Sequence, residues 1–272
     1  LNDEYVLYYA TANDDSSQRQ FPSSLPFPLK FSISQRAKIE LLRIISIGYE
    51  AIYSGKDKQQ TLLNDPRRNL ALLHIVSPLI ESWHKSYQEL LKPATGEPCS
   101  LEICRNRRAV HELSRRIDGE SLICDYYYCQ LYIYSLALQV DVKESQLKLS
   151  EITRSAKYVE LAYSAAKEIL NSAARLHKLK MLKCMPVRWV TRIVRSVAFI
   201  VKCYLTLTGN GLVNNPVANT ILKLTVIPAE ETLQTIQNAA ITLKEASPDE
   251  LHLCMRYSTI LMYLCSEMKL RN

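Results

Sequence analysis

A chain of 272 residues with only six glycines, Gly48, Gly55, Gly96, Gly119, Gly209 and Gly211, has few ways to turn tightly. Glycine supplies the positive-φ positions of short hairpins and the open backbone of phosphate-cradling loops. Its scarcity excludes a many-stranded sheet protein and a glycine-rich nucleotide loop. Long helices joined by loops remain. Apolar residues make up 47% and charged residues 22% of the chain, an ordinary globular balance with length enough for a real core. No apolar run reaches about 18 residues, the length of a membrane-spanning helix. The nearest, 187–207, is broken by Arg188, Arg192, Arg195 and Lys202.

The apolar spacing agrees with helices throughout and gives no strand alternation. Residues 1–31 carry Pro22, Pro26 and Pro28 and are expected to form an extended arm. Ser34 is expected to cap a helix to about Tyr53. Asp65-Pro66 opens the next, to Lys92, with Pro78 inside as a kink. A basic helix over 101–117 and a separate, nearly all-apolar helix over 122–140 follow. A long amphipathic helix covers about 150–182. Pro186 opens a helix to about Thr208, Pro228 another to about Glu245, and Ser247-Pro248-Asp249-Glu250 reads as a capping box for the last, to about Leu270. Residues 212–227 give no firm assignment. The expected fold is all-α: an irregular bundle of seven or eight helices, with 32–272 as a single helical domain.

Catalytic signatures are missing. No Walker loop, dinucleotide fingerprint or H-E-x-x-H stands in the sequence, and His74, His84, His111, His177 and His252 never pair at i, i+4. The expectation is therefore no enzyme, no metal and no cofactor. Of eight cysteines none forms C-x-x-C, and most lie in apolar helical patterns, so reduced, buried thiols inside the cell are expected. Cys124 and Cys129 read as core thiols rather than a redox pair. The chain begins without Met and without a signal-peptide pattern, as a piece of a longer protein would.

Two features stand out. From Glu151 to Lys202, eleven Lys and Arg face three acids, a local net of +8 against +7 for the whole chain. Within that stretch Arg188, Arg192, Arg195 and Lys202 share one helix face, opposite Val190, Ile193, Val197, Ile200 and Tyr204. Such a face is solvated, or an anion site, since arginine grips carboxylates with paired hydrogen bonds, or, ranked last because no DNA-reading motif accompanies it, a non-specific DNA contact. The second feature is a tyrosine cluster, Tyr126, Tyr127, Tyr128, Tyr132 and Tyr134, on one helix. It either fills a core or lines a ligand pocket.

The segments LYIYSLALQ (131–139), YVELAYSAAKEIL (158–170) and MPVRWVTRIVRSVAFIVKCYL (185–205), with ESWHKSYQELL (81–91) upstream, follow a familiar order. They resemble the regulatory, middle-homology region of fungal zinc-binuclear-cluster transcription factors, in the branch of amino-acid-metabolism activators. Ala165-Ala166, Pro186, Arg188, Ile193, Phe199 and Lys202 carry the pattern. The six-cysteine DNA-binding cluster of that family is absent. The resemblance thus implies a nuclear regulatory domain that reaches DNA only through an N-terminal domain lacking here, with a full-length homodimer as one assembly it allows. It also implies a small-molecule effector, an amino acid or related metabolite, whose binding switches transcription. Candidate ligand residues are Arg188 or Arg192 for a carboxylate and Tyr128, Tyr132 and Trp189 for a side-chain pocket. The alternative is a helical protein-interaction scaffold without a small ligand, with an apolar patch at Leu253, Ile260 and Leu264.

Overall fold

A computed structural model describes residues 27–53, 66–96, 98, 107–139, 147–208 and 216–270. Among them are eight α-helices and no strand. They are α1 Phe27–Tyr53, α2 Pro66–Tyr87, α3 Arg107–Tyr134 and α4 Leu149–Lys178. Then come α5 Val187–Leu207, α6 Pro216–Lys223, α7 Ala229–Ala246 and α8 Leu253–Leu270. Short 3-10 turns follow α2 (Gln88–Leu90), α3 (Ser135–Leu138) and α4 (Leu182–Cys184). The all-α reading is correct.

Helices α3 and α4 form the central pair. On one side α1 packs on α3 and α2 packs on α1. On the other, α5 and α7 lie on α4, α6 bridges α4 and α5, and α8 rests outermost on α7. One apolar core runs through all of them, from Ile33 to Met268. Burial of an amphipathic stripe, not intrinsic propensity, holds helices of this length in place. Polar ties fix the register of the first layer. Lys38 Nζ meets Asp118 Oδ1 at 2.6 Å, joining α1 to α3. Trp83 Nε1 donates to the Ala37 carbonyl at 2.9 Å while its ring stacks on Tyr126.

Several expected boundaries move. Helix α1 begins at Phe27, so 27–31 are helical and the arm cannot reach residue 31. Pro28 causes no conflict in a first turn, where the backbone N–H has no helical partner anyway. Ser34 is not a cap. It lies two turns inside, 3% exposed, with no hydrogen-bond partner for its Oγ among the described residues. Helix α2 ends in a 3-10 turn at 88–90, short of Lys92, and runs through Pro78. The two helices expected over 101–117 and 122–140 are a single helix, α3. Gly119 does not break it. A Cβ there would stand 2.9 Å from the Lys92 carbonyl oxygen, so the missing side chain admits the chain leaving α2. Gly48 serves α1 the same way: a Cβ there would overlap Ile133 of α3. The 101–106 start of the expected basic helix lies outside the described residues. So do Asp65, Gly55 and Gly209 to Gly211. The unassigned stretch contains α6.

The Ser247 capping box does not form. Ser247 Oγ donates to the Asp249 carbonyl at 2.6 Å, and Asp249 Oδ1 accepts from the amides of Leu251 and His252 at 2.9 and 2.7 Å. This local turn delays α8 to Leu253, where His252 Nδ1 accepts from the Cys254 amide. Short polar side chains before a helix compete with it in this way.

Helix α4 ends in a motif that its sequence hides. The Met181 amide reaches the Leu176 carbonyl at 2.9 Å and the Lys180 amide reaches that of His177 at 2.8 Å. Lys180 sits at φ 57, the left-handed conformation usually given to glycine. A side chain there costs about 1 kcal/mol. Lys180→Gly is therefore expected to stabilise the domain by about 1 kcal/mol and raise Tm by about 2–4 °C in a thermal melt. A lower Tm would mean that the lysine itself contributes.

Candidate functional site

The five sequence candidates divide into three places. Tyr128 and Tyr132 lie one turn apart on α3, ring centroids 6.5 Å apart, both partly exposed. Arg192 reaches them from α5, its guanidinium 5.1 Å above the Tyr128 ring. Arg188, one turn earlier on α5, is exposed. Trp189 is 0% exposed and belongs to the core, so it lines no open surface. The reason is its phase: Trp189, Ile193, Val197 and Ile200 form the buried stripe of α5.

Asp125 completes the group. Its carboxylate forms an ion pair with Arg192, the two side chains 13% and 14% exposed. Burial is the largest single influence on Arg192 and works against its charge, but Asp125 and Cys124 together outweigh it and hold the guanidinium pKa above its usual value. Arg195 adds a second cation, donating to the Tyr128 hydroxyl with its guanidinium 5.9 Å from that ring. Between α3 and α5 there is thus one carboxylate, two guanidiniums and two phenol rings. Charge and hydrogen bonding are satisfied around Tyr128 from both sides. Arg192 is not a free carboxylate clamp, because Asp125 already occupies it.

Sequence reasoning passed over Asp125, although the signal was there. It is the one acid between Glu120 and Asp141 in an otherwise apolar helix, three residues before Tyr128. A single charge so placed calls for a partner. The other tyrosines are structural. Tyr126 accepts from Gln130 at 2.8 Å, and Tyr134 and Ser77 share a hydrogen bond at 3.2 Å. Burial raises the pKa of both phenols.

A second polar cluster also escaped the sequence. Glu120 on α3 is 0% exposed. Its Oε1 accepts from Ser172 Oγ at 2.5 Å and from Arg175 Nη2 at 2.7 Å, both on α4. Its Oε2 accepts from the Ala94 amide at 2.6 Å, and Arg175 Nε lies 3.1 Å from both oxygens. Every lone-pair direction is used, and no open position is left for a substrate. The cluster pins the loop after α2 to the central helix pair.

The thiols are free and mostly buried. Cys124, Cys129, Cys203, Cys254 and Cys265 lie in the core, while Cys184 is exposed. Burial pushes Cys124, Cys129 and Cys203 up to about 12, far from a thiolate at neutral pH, even with Arg192 beside Cys124. Cys99 and Cys104 lie outside the described residues. Among the described residues no group of His, Cys, Asp and Glu is placed to hold a metal ion. Nor is any helix long and apolar enough to cross a membrane.

Compared with known proteins, the chain matches no family model, no curated protein and no solved structure.

Proposed function

We propose that this helical domain is the effector-sensing regulatory region of a nuclear transcription activator of the fungal zinc-cluster type, and that it acts on DNA through a separate domain. What supports the reading is the order of its segments, on α2, α3, α4 and α5 in turn, together with the polar group between α3 and α5. That group carries it. An α-amino acid offers one carboxylate and one ammonium. Asp125 is the acid that sequence reasoning lacked for the ammonium, and its pair with Arg192 has to open to admit it. Arg195, which has no carboxylate partner among the described residues, takes the carboxylate, and Tyr128 and Tyr132 flank the side chain. Binding there switches the protein only if one arrangement of α3 and α5 holds the effector better than another.

The test is a thermal-shift screen of the domain against amino acids and their biosynthetic intermediates. A ligand at about 100 times its Kd stabilises by about 2.7 kcal/mol, or roughly 5–10 °C for a domain of this size. Arg195→Gln is expected to remove most of the shift and leave the ligand-free Tm within about 2 °C, as an exposed cation should. Arg192→Ala is a poorer probe, because it strands a largely buried Asp125. An unshifted Tm with every compound, or a full shift in Arg195→Gln, overturns the assignment.

A second reading, a protein-interaction scaffold, draws on α8. Ile260 and Tyr263 there are 52% and 64% exposed. Leu253 and Leu264, expected in the same patch, instead pack against the core. A screen without hits, joined to capture of a partner that Ile260→Lys abolishes, would favour it.

A further inference from the structure

The stretch from Lys178 to Leu207 contains seven Lys and Arg and not one Asp or Glu. Among the described residues only Arg192 of these seven has a carboxylate partner, Asp125. The rest of the charge is not spread at random. Arg188, Arg195 and Lys202 stand at i, i+7 and i+14 on α5, a line that drifts only slightly around the helix. All three are exposed, and none is in an ion pair among the described residues. Partial desolvation lowers the pKa of Lys202, opposed only in part by the neighbouring Cys203 thiol and by no carboxylate. Beside this line Thr191 and Ala198 are also exposed, small residues alternating with the cations at steps of three and four. An outward stripe of that spacing runs straight along one face of α5, so a second helix can lie beside it in register.

We infer that the exposed stripe Arg188–Thr191–Arg195–Ala198–Lys202 is a docking surface for an acidic helix with carboxylates at seven-residue intervals. Cations seven residues apart are about 10.5 Å apart along α5. A partner helix repeats its own carboxylates at the same rise, so three pairs form in register. A DNA strand presents a phosphate about every 3.4 Å of axis, so the same row would meet only one phosphate in three. Thr191 and Ala198 let the two helices approach closely between the charges. The inference uses no small ligand; a bound effector would compete with the partner helix at Arg195 alone and leave Arg188 and Lys202 to it.

The experiment uses fluorescence anisotropy with a labelled alanine-based helical peptide bearing three Glu at seven-residue intervals. Its comparison is an isomer with the same three Glu on different faces, and a short duplex DNA is the third probe. Each exposed ion pair contributes about two- to fivefold, so the in-register peptide is expected to bind about tenfold or more tighter than its isomer. Raised salt should weaken it. Arg188→Glu with Lys202→Glu should abolish the preference while circular dichroism and Tm stay unchanged. Should that pair unfold the domain, Arg188→Gln with Lys202→Gln is read by the same criterion. Absence of binding, equal binding of the two peptides, tighter binding of the DNA, or an unchanged preference in the folded double variant overturns the inference.

Discussion

Arg175→Ala is expected to cost about 3–5 kcal/mol of stability. The residue removed is a partner, and what it leaves behind decides the size of the effect. Glu120 is fully buried in the centre of α3 and would be left with only Ser172 and the Ala94 amide to hold its carboxyl group. The desolvation of that carboxylate was offset by three guanidinium contacts, which vanish together. For a domain of this length the loss corresponds to a Tm lower by roughly 10 °C. Arg175→Lys keeps a charge but not the fork that reaches both oxygens, so it is expected to fall between, at about 1–2 kcal/mol. Chemical denaturation of the three proteins settles the order. Equal stability of the wild type and Arg175→Ala would show that the carboxylate does not depend on its guanidinium.

That cluster also explains where sequence reading stops. Helix α5 was legible from end to end, because Pro186 pre-sets its first turn and the apolar residues keep one phase through Tyr204. Helix α3 was not, because Gly119 looks like a breaker until the Lys92 carbonyl beside it is seen. Twenty-seven residues separate the two, and no local pattern encodes the approach. The Ser247 to Glu250 segment failed differently: the Ser247 amide that a capping box would have used goes to the Lys244 carbonyl, and Asp249 takes the amides of Leu251 and His252 instead. At the candidate site, Tyr128, Tyr132 and Arg192 were legible as residue types on two amphipathic helices. Their meeting with Asp125 and Arg195 was not, because it depends on long side chains reaching from α5 to α3. Trp189 adjoins Arg188 in sequence, but one residue on a helix is a turn of about 100°, enough to carry it from the exposed face into the core.

Trp189 supplies the second large effect, and two substitutions separate its causes. It is the largest side chain in the core with no exposure, and its indole N–H is buried without a hydrogen-bond partner among the described residues. Trp189→Ala empties that volume and is expected to cost about 3–5 kcal/mol, the range for a large aromatic cut to alanine in a packed interior. Trp189→Phe removes fewer contacts and also removes the stranded donor, whose desolvation costs about 1–3 kcal/mol. The two changes oppose each other, so Trp189→Phe is expected to lie within about 1 kcal/mol of the wild type. Equilibrium urea unfolding of both variants, followed by circular dichroism, measures the difference. A loss for Trp189→Phe close to that of Trp189→Ala would mean that the indole N–H has a partner after all, such as a buried water that the phenyl ring cannot hold.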